Sequence, residues 1–315
     1  MKNQAKISIV TPFYNEGGGI EIFYARLTQV LNRMTDFEFE LICIDDGSVD
    51  GTLAELINLS QRDSRFKIIE LSRNFGKEAA ITAGIDCSTG DAVIPIDADL
   101  QDPPELIESM VKLWLDGAEV VLAKRNDRST DSFFKRFSAK AFYKLHNSLS
   151  TEASIPENVG DYRLMDRVVV EALKRLPERQ RFMKGLFAWV GFKTATIEYK
   201  REVREQGESK FSGWRLWNFA LEGITSFSLV PLKVWTYFGA IGATFAILYA
   251  AFIIVRTLIF GIVLPGYASL LVVTLFFGSI QLMSLGILGE YIGRIYFETK
   301  NRPIYIIRRQ HTKNE

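Results

Sequence analysis

The chain has 315 residues, 48% hydrophobic and 24% charged, with a formal net charge of +1. A charge so near zero argues against a polyanion such as nucleic acid as partner, and the average composition is that of an ordinary soluble protein. The average conceals a division: residues 1 to about 210 alternate apolar and charged stretches, whereas residues 230 to 289 are nearly all apolar. The front part is long enough to bury one sizeable core.

From the N-terminus, the start MKNQAKISIV lacks an apolar run of signal-peptide length, so the front domain is expected to stay in the cytoplasm. Cys43 and Cys87 then fit reduced thiols in a cytosolic core. Strands are expected over 6–11 (KISIVT), 39–44 (FELICI), 66–71 (FKIIEL), 92–96 (AVIPI) and 120–123 (VVLA). Helical periodicity falls between them, around 20–34, 52–61, 78–85 and 105–114. Strands alternating with helices of this length imply an α/β domain with a mostly parallel, Rossmann-like sheet covered on both faces. Ligands bind such sheets beyond the carboxyl ends of the strands, where the polar clusters of this chain fall. Gly17, Gly18 and Gly19 follow the first strand without a phosphate-loop pattern and are expected to form a flexible loop.

Two acidic clusters stand out. Asp45-Asp46-Gly47-Ser48, with Asp50 behind it, suits either hydrogen bonding to a base or ribose or a turn that caps the helix starting near Thr52. After the strand AVIPI come Asp97, Asp99 and Asp102. Acids at i and i+2 of an extended segment point the same way, so Asp97 and Asp99 can share Mg²⁺ or Mn²⁺ with substrate phosphates. Asp102, just before Pro103-Pro104, is expected to cap the next helix.

Arg201, Glu202, Arg204 and Glu205 alternate in sign, which fits an exposed salt-bridged surface or, beside a membrane, a phosphate grip. Residues 211–229 then place Trp214, Trp217, Leu221, Ile224 and Phe227 at helical spacing, as in an amphipathic helix lying in the headgroup plane or packing against a second subunit. Residues 234–255 and 257–289 carry no formal charge, and each run exceeds the ~18 residues needed to span a bilayer. Two transmembrane helices are expected within 230–292, at about 234–255 and 266–288, with Trp235, Tyr237, Tyr291 and Tyr296 at their edges. Basic residues flank the pair on the outer sides while only Arg256 lies between, so both termini are expected in the cytoplasm of a multi-pass inner-membrane protein. Glu290 and Arg294 suit a local ion pair one helical turn apart. His146 and His311 suit ordinary polar surface, and the basic stretch 293–315 suits a cytoplasmic tail with little order after Tyr305.

Taken together, Thr11-Pro12-Phe13-Tyr14-Asn15-Glu16, the Asp-Asp-Gly-Ser block, Arg73-Asn74-Phe75-Gly76-Lys77, Asp97-Ala98-Asp99-Leu100-Gln101, Gly160-Asp161-Tyr162-Arg163-Leu164, Arg179 to Phe182, Arg201 to Arg204 and Gly207 to Lys210 resemble the inverting family 2 glycosyltransferases of GT-A fold. Within them the resemblance is to the polyprenyl-phosphate glycosyltransferases, which include dolichol-phosphate mannose synthase and the bactoprenol glucosyltransferases of O-antigen modification. It implies a catalytic domain over 1–210, with Pro12, Tyr14, Glu16 and Asp46 lining the nucleotide pocket, Asp97 on the nucleotide sugar, Gln101 nearby, and Asp99 holding the metal, Mg²⁺ or Mn²⁺. Asp161 becomes the acid beside the acceptor, and Arg125, Arg136, Arg201, Arg204 and Lys210 become candidates for gripping the acceptor phosphate or the donor diphosphate. The implied partners are a nucleotide sugar, UDP-glucose first, a polyprenyl (undecaprenyl) phosphate and the membrane. A small homo-oligomer is compatible with the helices. A processive polysaccharide synthase is disfavoured because Gln180 is followed by Arg181-Phe182 rather than a Gln-x-x-Arg-Trp block. A nucleotidyltransferase would want a basic Gly-rich loop after the first strand. A two-span scaffold that only binds nucleotide sugar would need no acid at 161.

Overall fold

The computed structural model describes residues 4–126, 156, 158–179, 181–200, 230–261 and 266–312. Within them the chain runs β1 (Ala5–Phe13), α1 (Ile20–Leu31), β2 (Phe37–Asp45), α2 (Thr52–Arg62), β3 (Phe66–Leu71), α3 (Lys77–Cys87), β4 (Ala92–Pro95), α4 (Leu106–Leu115) and β5 (Val120–Arg125). It continues with β6 (Val159–Asp166), α5 (Arg167–Lys174), α6 (Met183–Trp189), β7 (Thr194–Tyr199), α7 (Val230–Phe260), α8 (Tyr267–Thr299) and β8 (Ile307–His311). The strands form one sheet in the order β7-β5-β6-β4-β1-β2-β3-β8.

Alternation decides which face each strand residue serves. Ile7, Ile9, Leu41, Cys43, Ile68 and Ile94 bury against α1, α2 and α4 on one face. Val10, Ile42, Ile44, Ile69 and Val93 bury with residues of α3, α5 and α6 on the other. Both faces are therefore covered, which is why these strands read as continuous apolar runs.

The sheet is mixed. β4-β1-β2-β3 are parallel, as is the pair β5 and β7, but β6 runs antiparallel to both β4 and β5. The antiparallel step has a consequence for chemistry. Ala92 pairs with Asp166 and Val93 with Met165, and continuing that register beyond β4 sets Asp97 opposite Asp161. An acid from the sixth strand is thereby delivered to the carboxyl edge of the fourth.

The C-terminal stretch departs from expectation. Instead of a loose tail, residues 307–311 form β8, antiparallel to β3, with the Ser72 N–H donating to the Ile306 carbonyl at 2.9 Å. Glu70 of β3 meets Arg308 at 3.1 Å, and His311 Nε2 lies 3.3 Å from its other oxygen, so His311 is a half-buried hydrogen-bond partner rather than isolated surface. The basic residues are held because β3 would otherwise leave an unpaired edge.

Helices α7 and α8 contain the stretches Tyr237–Phe260 and Val272–Thr299, each long and apolar enough to cross a membrane, with none of the apolar windows buried in protein. Among the described residues neither stretch is therefore a helix buried in the core of this chain. The Glu290–Arg294 pair forms, at 3.7 Å. At its far end α8 touches the front domain: the Arg179 N–H donates to Glu298 Oε1 at 2.9 Å and the Arg179 guanidinium to Asn301 Oδ1 at 2.7 Å. The expected helix at 211–229 and the residues Arg136, Arg201, Arg204 and Lys210 lie outside the described residues.

Candidate active site

The carboxyl ends of β1, β2 and β4 lie side by side, and the loops that follow them interlock. Asn15 adopts a left-handed backbone, φ 53°, and its Oδ1 accepts from the Val49 N–H at 2.9 Å while its own N–H donates to Ser48 Oγ at 3.1 Å. The Glu16 N–H donates to Thr52 Oγ1 at 3.0 Å. The glycines behind Glu16 therefore sit in a pinned turn, Gly19 N–H returning to the Glu16 carbonyl at 3.0 Å. Tyr14 is exposed, with Pro12 and Glu16 half-buried beside it.

The Asp-Asp-Gly-Ser block divides its labour. Asp50 Oδ1 accepts from the Thr52 N–H at 2.9 Å, the turn that starts α2. Asp46 is buried and its two oxygens accept from the Phe75 and Gly76 N–H groups at 2.7 and 2.9 Å, so it braces the loop leading into α3. Asp45 accepts from the Ser48 N–H at 3.3 Å, and its other oxygen, Oδ1, is buried without a hydrogen-bond partner. Burial raises the pKa of both acids above the usual carboxylate range. Gly47 is required here: at φ +69° a Cβ would lie 2.5 Å from the backbone of Arg73 and Asn74.

After β4, Asp97, Asp99 and Gln101 are half-buried. Asp99 Oδ1 accepts from the Gln101 N–H at 3.2 Å, a turn that needs Leu100 in the left-handed region, φ 55°. Such strain in a bulkier side chain concentrates at functional loops. Lys77, the first residue of α3, reaches between two acids, its Nζ 2.7 Å from Asp97 Oδ2 and 3.0 Å from Asp161 Oδ2. Desolvation opposes a charge on Lys77, but the Asp161 and Asp97 carboxylates outweigh it and raise its pKa. Asp161 is likewise desolvated, yet Lys77, Lys184 and Arg163 hold its carboxyl well below the ordinary range. Its Oδ1 is buried and has no hydrogen-bond partner. Behind it Glu78 is pushed up to about 7, by burial first and by the Asp161 charge second. Arg163 is buried with its guanidinium 4.0 Å over the Phe187 ring, and burial lowers it to about 10.

Asp102 corrects its sequence reading. Helix α4 is capped at Glu105 without a side-chain bond, and Asp102 instead lies buried, accepting from the Tyr199 hydroxyl, with Arg125 Nη2 at 3.9 Å. Arg125 Nε also donates to the Tyr199 oxygen at 3.3 Å. Arg125 thus stands at the correct edge of the sheet but is already engaged by an internal acid. Residues that sequence reasoning left without a role are Lys77, Glu78, Lys184 and Tyr199. Only Lys77 carried a signal, its place in the Arg-Asn-Phe-Gly-Lys block.

Among the described residues no three His, Cys, Asp or Glu side chains are grouped so as to hold a metal ion. The donor set still suits Mg²⁺ or Mn²⁺ of the kind held by one or two carboxylates and completed by substrate phosphates. Asp97 and Asp99 would supply the carboxylates, and Asp97 already draws a cationic side chain to itself.

Residues 8–174 match the family model described as glycosyl transferase family 2. The chain belongs to that family. It is 54% identical to an uncharacterized glycosyltransferase of Synechocystis over 302 residues, covering 96% of this chain and 94% of that one. It is 53% identical to the SfII prophage-derived bactoprenol glucosyl transferase of Shigella flexneri over 309 residues, covering 98% and 99%. Among solved structures, it shares the fold of glucosyl-3-phosphoglycerate synthase from Mycobacterium tuberculosis, crystallised with Mn²⁺, UDP-glucose and phosphoglyceric acid. That match has a TM-score of 0.50 and 18% identity, over 71% of this chain and 80% of that one. The GT-A-like sheet of this family 2 glycosyltransferase is the one expected from its sequence.

Proposed function

We propose that this glycosyltransferase moves a hexose, glucose from UDP-glucose first among donors, onto polyprenyl (undecaprenyl) phosphate at the cytoplasmic membrane face. The product is a polyprenyl-monophosphate sugar for cell-envelope glycan or O-antigen modification. The observation that carries this reading is the meeting of Asp97 and Asp161, from separate motifs, at the carboxyl edge of the sheet. Near-full-length identity to a bactoprenol glucosyl transferase supports the lipid acceptor, as do two membrane-length apolar helices, one of them hydrogen-bonded to the catalytic domain through Glu298.

In this mechanism Pro12, Tyr14, Glu16 and Asp46 frame the nucleotide, with Asp46 acting through the loop it braces. Asp97 and Asp99 are the residues that would hold Mg²⁺ or Mn²⁺, and the ion, when bound, would supply stabilisation of the negative charge on the nucleoside diphosphate leaving group. Asp161 faces the incoming acceptor. A phosphate monoester has its second pKa near 6 and is already largely ionised at pH 7, so Asp161 needs to orient that oxygen more than deprotonate it. Arg136, Arg201, Arg204 and Lys210 are the cations for the two phosphate groups, through charge-assisted bonds, while Arg125 is held by Asp102 and Tyr199. In-line attack behind the anomeric carbon inverts it, and correct alignment supplies much of the rate. Residues 1–210 form the catalytic domain, 211–229 an interfacial helix, 230–292 the two spans and 293–315 the cytoplasmic C-terminal stretch. The protein sits in the inner membrane with both termini inside.

Membranes containing the protein, given UDP-[¹⁴C]glucose and undecaprenyl phosphate, are expected to move label into organic solvent. Asp99→Ala should abolish the transfer. Label that stays aqueous with the parent protein under Mg²⁺ and Mn²⁺ refutes this pairing of donor and acceptor, and full activity in Asp99→Ala refutes the metal role.

A further inference from the structure

We propose that Lys77 is a built-in counter-ion: a positioning residue that ties Asp161 to Asp97 in the donor-free enzyme and keeps Asp97 from collecting a divalent ion before the nucleotide sugar arrives. The inference rests on the reading of Asp97 and Asp99 as the metal-side acids and assigns the residue that regulates them.

Three features carry it. The first is geometric, since one ammonium lies 2.7 Å from Asp97 and 3.0 Å from Asp161, and the β4–β6 register brings those acids face to face at the sheet edge. Without a cation between them the two carboxylates would repel across that short gap. The second is how firmly the lysine is aimed. It is the first residue of α3, entered through Gly76 at φ +97°, and the two preceding N–H groups are held by Asp46. Asp46 in turn sits at the end of β2, next to the nucleotide-side loops, so the lysine's position is coupled to the part of the site that meets the donor first. The third is chemical. A Lys ammonium is a compact charge on a flexible four-carbon stem, and this side chain remains 45% exposed while Asp161 is only 14% exposed. The ammonium can therefore swing from Asp97 toward an arriving diphosphate without unpacking the core, whereas Asp161 stays fixed.

The order of binding follows. With Lys77 on Asp97, a divalent ion must displace the ammonium before it gains that carboxylate, and such ions are completed by substrate phosphates rather than held by protein carboxylates alone. The ion and the diphosphate then enter together, the diphosphate supplying both metal ligands and a new partner for Lys77.

The test uses the full-length protein in detergent and Mn²⁺ alone, with free Mn²⁺ read by electron paramagnetic resonance. The parent is expected to bind Mn²⁺ weakly without nucleotide and at least about tenfold more tightly with UDP present. Lys77→Gln is expected to bind nucleotide-free Mn²⁺ about tenfold more tightly than the parent, the scale of one unit charge removed from beside a half-buried acid, while Lys77→Arg stays near the parent. In activity assays Lys77→Gln should lose mainly kcat, with KM for the nucleotide sugar changed less than about threefold. Nucleotide-free affinity in Lys77→Gln equal to or weaker than the parent's overturns the proposal. So does a parent that binds Mn²⁺ equally well with and without UDP, a result that stands even where Lys77→Gln fails to fold. Asp99→Asn separates the two claims: unchanged Mn²⁺ binding in its presence refutes the metal site itself, whatever Lys77 does.

Discussion

Replacing Tyr199 by Phe isolates the network that displaced the expected helix cap at Asp102. The ring keeps its place, edge-on to Tyr162 at 6.5 Å between centroids, and only the hydroxyl is lost. That hydroxyl donates to the buried Asp102 carboxylate and accepts from Arg125 Nε, and burial together with the Asp102 charge raises its pKa well above the usual tyrosine range. A hydrogen bond to a charged group contributes roughly 1.5–3 kcal/mol, and Arg125 still faces Asp102, so a loss of about 2 kcal/mol is expected. For a domain of this size each kcal/mol moves the midpoint by roughly 2–4 °C, giving a fall in Tm of about 4–8 °C. Differential scanning fluorimetry in one detergent, at one protein concentration and one scan rate, measures it. Asp102→Asn sharpens the comparison. At a helix N-cap Asn serves as well as Asp, whereas here it would leave Arg125 without its acid, so a comparable fall is expected. A change of less than about 1 °C in both variants refutes the network as a stabilising element.

Asp161→Asn is expected to lower kcat by at least about 10²-fold, within the range for a positioned acid–base or orienting group, with folding retained. A loss under threefold in the solvent-extraction assay removes Asp161 from the reaction. Glu78 makes a pH prediction. Desolvation and the Asp161 charge raise it from 4.5 to about 7, with the Met183 N–H, Lys77 and Lys184 opposing, so the native protein keeps a proton that the unfolded chain releases. Stability from this group is full below about pH 4.5, declines as pH rises to about 7, and is level beyond. Asp161, held low, loses its contribution only as pH falls through the region below its ordinary value of 3.8, outside that window. Melting curves from pH 5 to 8 should therefore fall less steeply for Glu78→Gln than for the parent, and parallel curves would show that Glu78 is not the group responsible.

The sequence by itself determined the βα units from β1 to β5, because strands buried on both faces and helices buried on one leave apolar runs and periods that need only neighbouring residues to read. It also determined the two membrane-length helices, for which an uncharged run is sufficient signal, and the acid motifs, which turn at strand ends whatever lies across from them. Strands β6, β7 and β8 were another matter. Thr194–Tyr199 has alternating exposed and half-buried residues and Ile307–His311 is mostly polar, so neither carries enough local preference to announce a strand without its partner. Only the tertiary structure decided that β6 runs backwards and so sets Asp161 against Asp97, that Lys77 joins them, and that Asp102 answers Tyr199 and Arg125 rather than its own helix. Each of these depends on groups far apart in the chain being brought together by the sheet, and such long-range pairing leaves no trace in local spacing.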